Sequence, residues 1–210
     1  MKGVNAMMKP AYSIIKSMFV ALILCQAVSV YAAPTEGNHY DKITNNFTEE
    51  SLGVEKFFSL TCRPCLSLSR MLPSISKQSQ QTIYKTHVIF NDTTHAAATI
   101  YYSAAIQSET LPDRFISELF LLTQANAPVN GTTLTGLFNR YQLVPINKLT
   151  PEQHAQVETQ LLRAEKLTAQ ASIMQIPTII VNGQYQINMR AHKSLTELSD
   201  TIKQLVDLPS

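Results

Sequence analysis

The feature that most constrains this chain is a pair of cysteines, Cys62 and Cys65, placed between two different secondary-structure patterns. The mostly apolar run over residues 54–60 predicts a short strand. After the pair, apolar residues recur at helical spacing: Leu66, Leu68, Leu72 and Ile75. Cys62 is therefore expected where a strand turns into a helix, so the sequence predicts an α/β fold.

Two prolines bear on this helix. Pro64 fits its first turn, where a proline removes no backbone hydrogen bond. Pro73 predicts a kink or a break after about two turns, because an internal proline clashes with the preceding turn.

Residues 1–32 have the pattern of a signal peptide. Three lysines and no acidic residue accompany an apolar stretch over 18–30, and small residues fit cleavage after Ala32. The stretch is shorter than the roughly 20 residues of a membrane-spanning helix, although a membrane anchor remains the alternative. The pattern predicts export, with the periplasm as the destination.

The net charge argues against a nucleic-acid partner. The chain has 17 Lys and Arg against 15 Asp and Glu, and three of the lysines lie in the predicted signal peptide. The exported part is therefore nearly neutral and has no excess of positive charge that would bind a polyanion such as a nucleic acid.

Cleavage would also remove Cys25 and leave the Cys62–Cys65 pair alone. Such a pair can be a structural staple, half of a zinc site or a redox centre. A bridge over so short a loop stabilises little, and the scattered histidines supply no second half of a zinc site, so we expect no metal. The amides at a helix start and the charge of Arg63 would stabilise a thiolate at Cys62, which favours the redox centre. Cys65, three residues along the helix, would be the more buried, resolving thiol.

A second strong pattern lies near the carboxyl end. Ile176 and Pro177 precede a β-branched run, an Asn182-Gly183 turn and an alternating return strand. The Asn-Gly pair is typical of a type I′ turn, so these residues predict a β-hairpin.

Between residues 92 and 170 the patterning is helical throughout, without a convincing strand. Thr150 and Gln153 form a capping box that opens a long helix, with Pro151 at its first position. Residues 195–205 predict a terminal helix.

Together these motifs resemble the DsbA family of periplasmic thiol:disulfide oxidoreductases. The resemblance covers the whole exported chain and is carried by three segments: Phe57-Phe58-Ser59-x-x-Cys62-x-x-Cys65, Thr86-His87-Val88-x-Phe90 and Ile176-Pro177 with Val181-Asn182-Gly183-Gln184-Tyr185-Gln186.

The resemblance implies a thioredoxin fold with an inserted helical domain. The thioredoxin-like part would comprise residues 33–91 and 171–210, and the insertion residues 92–170. It implies that Cys62 is the nucleophile, Cys65 the resolving thiol and Pro177 a cis-proline of the catalytic site, with Ile176 and Pro177 binding the client.

Three departures from the family pattern are visible. Arg63 and Pro64 replace the Pro-His of its best-known member, and they argue for opposite redox tendencies. Lys56 stands where the family has a partly buried acid, opposite its lysine partner at Lys85. Glu55 could compensate after a register slip, or Lys56 could extend to solvent. Ile176 replaces a valine or threonine.

The predicted function is a periplasmic dithiol oxidase that introduces disulfide bonds into exported proteins. Its partners would be exported proteins with free thiols and a membrane quinone-linked protein that reoxidises it, with no cofactor required. We expect a monomer. The alternatives are a reductase or isomerase of the same fold, or a non-catalytic chaperone-like binding module.

Overall fold

The structure, a computed structural model, describes residues 33–125 and 131–208. The predicted signal peptide and its cleavage point after Ala32 lie outside the described residues. No helix in the described ranges is both long enough and apolar enough to cross a membrane.

Five strands of the described part of the chain form one mixed sheet in the order β1-β5-β4-β2-β3. Strands β2 and β3 run parallel, whereas the other neighbouring pairs are antiparallel. The predicted strand before the cysteines and the predicted hairpin are confirmed, while β1 was not predicted. The strands are β1 (Tyr40–Lys42), β2 (Val54–Phe58), β3 (Ile83–His87), β4 (Thr178–Val181) and β5 (Tyr185–Ile187).

Within residues 33–125 and 131–208, six α-helices accompany the sheet. They are α1 (Arg63–Ser79), α2 (Asp92–Ala105), α3 (Asp113–Gln124), α4 (Thr132–Arg140), α5 (Pro151–Gln170) and α6 (Leu195–Val206). Helix α1 continues through Pro73 to Ser79, so the alternative of a break at this proline is wrong. The capping box of α5 is present, because Thr150 and Gln153 exchange side-chain and backbone hydrogen bonds.

The two faces of the sheet have separate apolar cores. Helices α1 and α6 cover one face, where Ile75 and Ile202 pack in the same cluster as Val54. Leu167 of α5 covers the other face, in a cluster with Phe57. Strand β2 lies between β3 and β4, and its five residues are all buried.

The region between residues 92 and 170 is helical where it is described, as predicted. Helices α2 to α5 share a third apolar cluster, which also contains Phe58, Leu60 and Cys65. The core of these helices is therefore continuous with the residues around the cysteines. The proposed limits of the inserted domain stay a prediction.

The β4–β5 hairpin has the turn that its sequence predicts. Asn182 and Gly183 have φ angles of 52° and 68°, the left-handed values that a type I′ turn needs. Phe47 donates its amide hydrogen to the Gly183 carbonyl at 2.9 Å. A Cβ atom on Gly183 would lie 2.8 Å from the Phe47 carbonyl carbon, so both conformation and space require glycine here.

Candidate redox site

The cysteine pair lies at the junction predicted from the sequence. Strand β2 ends at Phe58, and Cys62 is the N-cap residue of α1. The Cys65 amide donates to Cys62 Sγ at 3.1 Å, so an amide of the first helical turn points at this sulfur. A helix start also carries partial positive charge, which would stabilise a thiolate on Cys62.

Cys62 and Cys65 form a disulfide bond. Cys62 is half-buried, whereas Cys65 is fully buried. An incoming thiolate can therefore approach Cys62 but not Cys65. This exposure difference agrees with the roles predicted from the sequence, in which Cys62 reacts with the client and Cys65 resolves.

The loop before β4 brings a distant segment to the cysteines. The Ile176–Pro177 peptide bond is cis, as the resemblance implied. The carbonyl oxygen of Ile176 lies 3.8 Å from Cys62 Sγ. Ile176 and Pro177 are both half-buried, so the loop borders the Cys62 sulfur and remains accessible from solvent.

Arg63 and Pro64 are the first two residues of α1, and both are exposed. Arg63 forms no ion pair with any residue of the described ranges. Its guanidinium is thus available to act on the charge of Cys62 or on a client.

The position of Lys56 overturns one alternative drawn from the sequence. Its side chain does not extend to solvent: Lys56 is 0% exposed. Nζ donates to the Cys65 carbonyl oxygen at 3.2 Å and to Ser69 Oγ at 2.5 Å. Desolvation by burial, reinforced by repulsion from Lys85, lowers the pKa of Lys56 to about 7.

Glu55 does not compensate Lys56, so the second alternative is also wrong. Successive strand residues point to opposite faces, and Glu55 faces α5 while Lys56 faces α1. The Glu55 carboxylate pairs with Arg163 at 3.1 Å and accepts from Thr86 Oγ1 at 2.9 Å.

Two residues that hold the turn before Cys62 were not assigned this role from the sequence. His87 Nε2 accepts the Leu60 amide hydrogen at 2.9 Å, and Gln124 donates to the Leu60 carbonyl oxygen at 3.1 Å. His87 is fully buried, which lowers its pKa to about 3 and keeps the ring neutral.

The backbone is similar to solved structures of DsbA proteins. It matches DsbA from Proteus mirabilis with a TM-score of 0.62 and 16% identity, over 82% of this chain and 97% of that chain. It matches the oxidoreductase NmDsbA1 from Neisseria meningitidis with a TM-score of 0.64 and 20% identity, over 84% of this chain and 94% of that one.

A third similar structure contains a ligand. It is a cysteine-to-serine variant of the Proteus mirabilis DsbA with a non-covalently bound peptide, PWATCDS. The TM-score is 0.64 at 16% identity, over 83% of this chain and 99% of that chain. No protein-family model matches the sequence, and no curated protein sequence matches it. The chain therefore has the fold of the DsbA disulfide oxidoreductases, a thioredoxin fold with an inserted helical domain.

Proposed function

We propose that this protein is a thiol:disulfide oxidoreductase of the bacterial periplasm that introduces disulfide bonds into exported proteins. The observation that carries the proposal is the disulfide between an accessible Cys62 and a buried Cys65 at the start of α1. A pair with one accessible sulfur can exchange with a client, and a helix start favours the release of that sulfur as a thiolate.

The reaction consists of two exchanges. A client thiolate attacks Cys62 Sγ, which breaks the Cys62–Cys65 bond and forms a mixed disulfide with the client. A second client thiolate then attacks the client sulfur of that bond and releases Cys62 as a thiolate. The client loses two electrons, and the cysteine pair gains them.

The loop at Ile176 and Pro177 is the proposed client-binding segment. The bound peptide in the Proteus mirabilis DsbA supports a peptide site in proteins of this fold. In this chain Met174, two residues before Ile176, is 85% exposed. An apolar client side chain could bury that surface while the client backbone runs beside Ile176.

The reduced pair must be reoxidised before another turnover. We propose that a membrane quinone-linked protein reoxidises the pair. The Cys62 thiolate would attack a disulfide of that protein. The pattern of residues 1–32 supports the periplasmic location, where both the clients and this partner would be met.

The deciding experiment combines an activity assay with a redox titration. The oxidised chain starting at Ala33 is mixed with a reduced peptide that contains two cysteines, and disulfide formation in the peptide is followed by mass spectrometry. Cys62→Ser should abolish transfer, because no exchangeable disulfide remains. Cys65→Ser should also fail to oxidise the reduced peptide, but when it is mixed with a peptide that already contains a disulfide, the Cys62 thiolate should attack that bond and accumulate as a mixed disulfide.

The same preparation, equilibrated with glutathione buffers, gives the direction of the reaction. A reduction potential well above that of glutathione supports the oxidase. A reduction potential near or below that of glutathione would contradict the oxidase and favour a reductase. Pro64 would then be the residue that determines the potential. The third outcome is that Cys62→Ser still binds the client and the unmodified protein transfers no disulfide. This outcome would contradict both the oxidase and the reductase and favour a chaperone-like binding module.

A further inference from the structure

Lys56 lies directly beneath the cysteine pair on strand β2. Its Nζ atom donates to the backbone carbonyl of Cys65 at 3.2 Å, and Cys65 is covalently joined to the reactive Cys62. The rings of Phe58 and Phe120 lie 4.9 Å and 5.9 Å from Nζ. Aromatic faces stabilise a cation weakly and exclude water, so Lys56 acts on the cysteines through a medium of low polarity.

No carboxylate within the described ranges forms an ion pair with Lys56. The nearest acid in sequence, Glu55, pairs with Arg163 on the opposite face of β2. Lys85 is the partner of Lys56 in the β2–β3 register, and its like charge disfavours a second ammonium. In the oxidised protein this ammonium therefore has no counter-charge to offset desolvation by burial and repulsion from Lys85, which together lower the pKa of Lys56 to about 7.

A hydrogen bond connects Lys56 to a residue that lines a cavity. Lys56 donates to Ser69 Oγ, and Ser69 lines a cavity of about 210 Å³ between α1 and α3. The ionisable or charged groups that line this cavity are Arg70 on α1, Lys85 on β3, and Asp113 and Arg114 on α3. The neutral His87 and the un-ionised Tyr101 pack on the Phe58 ring that Lys56 contacts. Desolvation by burial lowers the pKa of Lys85, and the Asp113 carboxylate opposes that shift, so Asp113 acts on Lys85.

We propose that Lys56 is a positioning residue for the redox pair: its side chain takes up a proton when the disulfide is reduced, and the resulting ammonium stabilises the Cys62 thiolate. The inference rests on the proposed function. It adds that the Lys56 ammonium balances the negative charge of the Cys62 thiolate in the reduced protein. Reduction creates a negative charge at Cys62. This thiolate supplies the counter-ion that Lys56 does not have in the oxidised protein. The two states of the pair therefore favour two protonation states of Lys56.

The balance of the reaction follows from this coupling. A client dithiol that becomes a disulfide gives up two electrons and two protons. The electrons reduce the Cys62–Cys65 bond; one proton goes to Cys65, and the other goes to the neutral amine of Lys56. The products are a Cys62 thiolate, a Cys65 thiol, a Lys56 ammonium and the oxidised client, with no net change in charge.

The test is the reduction potential of the pair in glutathione buffers over a range of pH, which requires no client. Each proton taken up makes the equilibrium constant fall tenfold per pH unit, about 30 mV for a two-electron couple. Below about pH 7 only Cys65 takes up a proton, so the potential should fall by about 30 mV per unit. Above it Lys56 also takes up a proton, and the slope should double.

Lys56→Met removes the titrating group and keeps an unbranched side chain that is one atom shorter. The variant should keep the single slope throughout, and at about pH 7 its equilibrium constant for reduction should be about tenfold lower, about 30 mV. Lys56→Gln serves as a second neutral variant. Arg163→Met is the matched control, because it removes a cation from the opposite face of β2 and should leave the slope unchanged.

An unbroken slope in the unmodified protein would overturn the inference, and this result needs no variant. The inference would also be overturned if the doubled slope persisted in Lys56→Met and Lys56→Gln. It would be overturned likewise if the doubled slope disappeared in the control Arg163→Met as it does in the Lys56 variants. Failure of client oxidation with the break in slope intact would count against the proposed function and leave the coupling in place.

Discussion

Two neighbouring residues of β2 show opposite ways of burying a charge. Glu55 and Lys56 are both 0% exposed, one on each face of the strand. Glu55 has an arginine partner and a hydroxyl donor, whereas Lys56 has a carbonyl and a hydroxyl acceptor but no counter-ion within the described ranges.

From this difference we infer a structural role for the Glu55 carboxylate and a functional role for the Lys56 ammonium. A buried carboxylate with a full set of partners holds its neighbours in place and changes little during a reaction. A buried cation without a counter-ion is destabilising until a negative charge appears nearby. Such groups are found more often at functional sites, and Lys56 lies beneath the cysteine pair.

The largest expected effect is on the structural side of this comparison. Arg163→Met should lower the free energy of unfolding by about 3 kcal/mol, because it leaves the buried Glu55 carboxylate without its counter-ion. The value lies at the low end for a broken buried pair, since the Arg163 side chain is 24% exposed. Urea unfolding of the oxidised protein measures it.

Lys166→Met provides the control on the same helix. Lys166 pairs with Glu50 at the surface, where side-chain exposures of 60% and 38% leave the pair well solvated. The expected loss is about 0–1 kcal/mol. Equal losses in the two variants would remove the distinction drawn for Glu55.

The next effect concerns the pH dependence of stability on the Lys56 side. The pKa of Lys56 is about 7 in the folded protein against 10.5 in an unfolded chain. Between these values the unfolded chain binds more protons, so stability rises with pH. The destabilisation is fully present below pH 7 and is progressively removed above it.

Lys56→Met lacks this contribution. From about pH 6 to about pH 9 the unmodified protein should gain about 2.5 kcal/mol of unfolding free energy relative to the variant. Both proteins are kept oxidised, so that the cysteines do not titrate, and are unfolded in urea at a series of pH values. Parallel curves for the two proteins would show that Lys56 is charged throughout and would contradict the lowered pKa.

The smallest effect refines the account of Glu55. Thr86→Val keeps the shape of the side chain but removes the hydroxyl that donates to Glu55 at 2.9 Å. Hydrogen bonds to charged groups contribute about 1.5 to 3 kcal/mol, and we expect a loss of about 1.5 kcal/mol. The measurement is again urea unfolding.

Thr168→Val is the matched control for this substitution. Its hydroxyl is also buried but donates to the Ala164 carbonyl of its own helix, a bond that contributes little to stability. A loss in Thr86→Val no greater than that in Thr168→Val would mean that the hydroxyl adds nothing to the carboxylate site.

The sequence predicted the parts of the molecule that have local signals. The strand before Cys62, the helix after it, the hairpin at Asn182-Gly183 and the helical region between 92 and 170 all follow from periodicity or turn chemistry. Strand β1, with the sequence Tyr-Asp-Lys, is too short to show a period, and its pairing with β5 is a tertiary event.

The environments of the charged residues could not be predicted in the same way. Glu55 and Arg163 are separated by 108 positions, and nothing near either residue indicates the other. Whether Lys56 reaches solvent depends on the packing of Phe120 from α3, which is likewise distant in sequence. The cysteine pair was predictable because its spacing and its place at a helix start lie within four residues.

The tip of the β4–β5 hairpin has a practical consequence for labelling this protein. A hairpin turn is ordinarily an attractive point for a dye, an affinity tag or a grafted loop, because turns at the surface tolerate insertions. Here the backbone of Phe47 closes over Gly183, so an attachment at the tip would force residues 43–48 away from the sheet. Probes for single-molecule or pull-down experiments therefore belong elsewhere, for instance on the exposed face of α5 at His154.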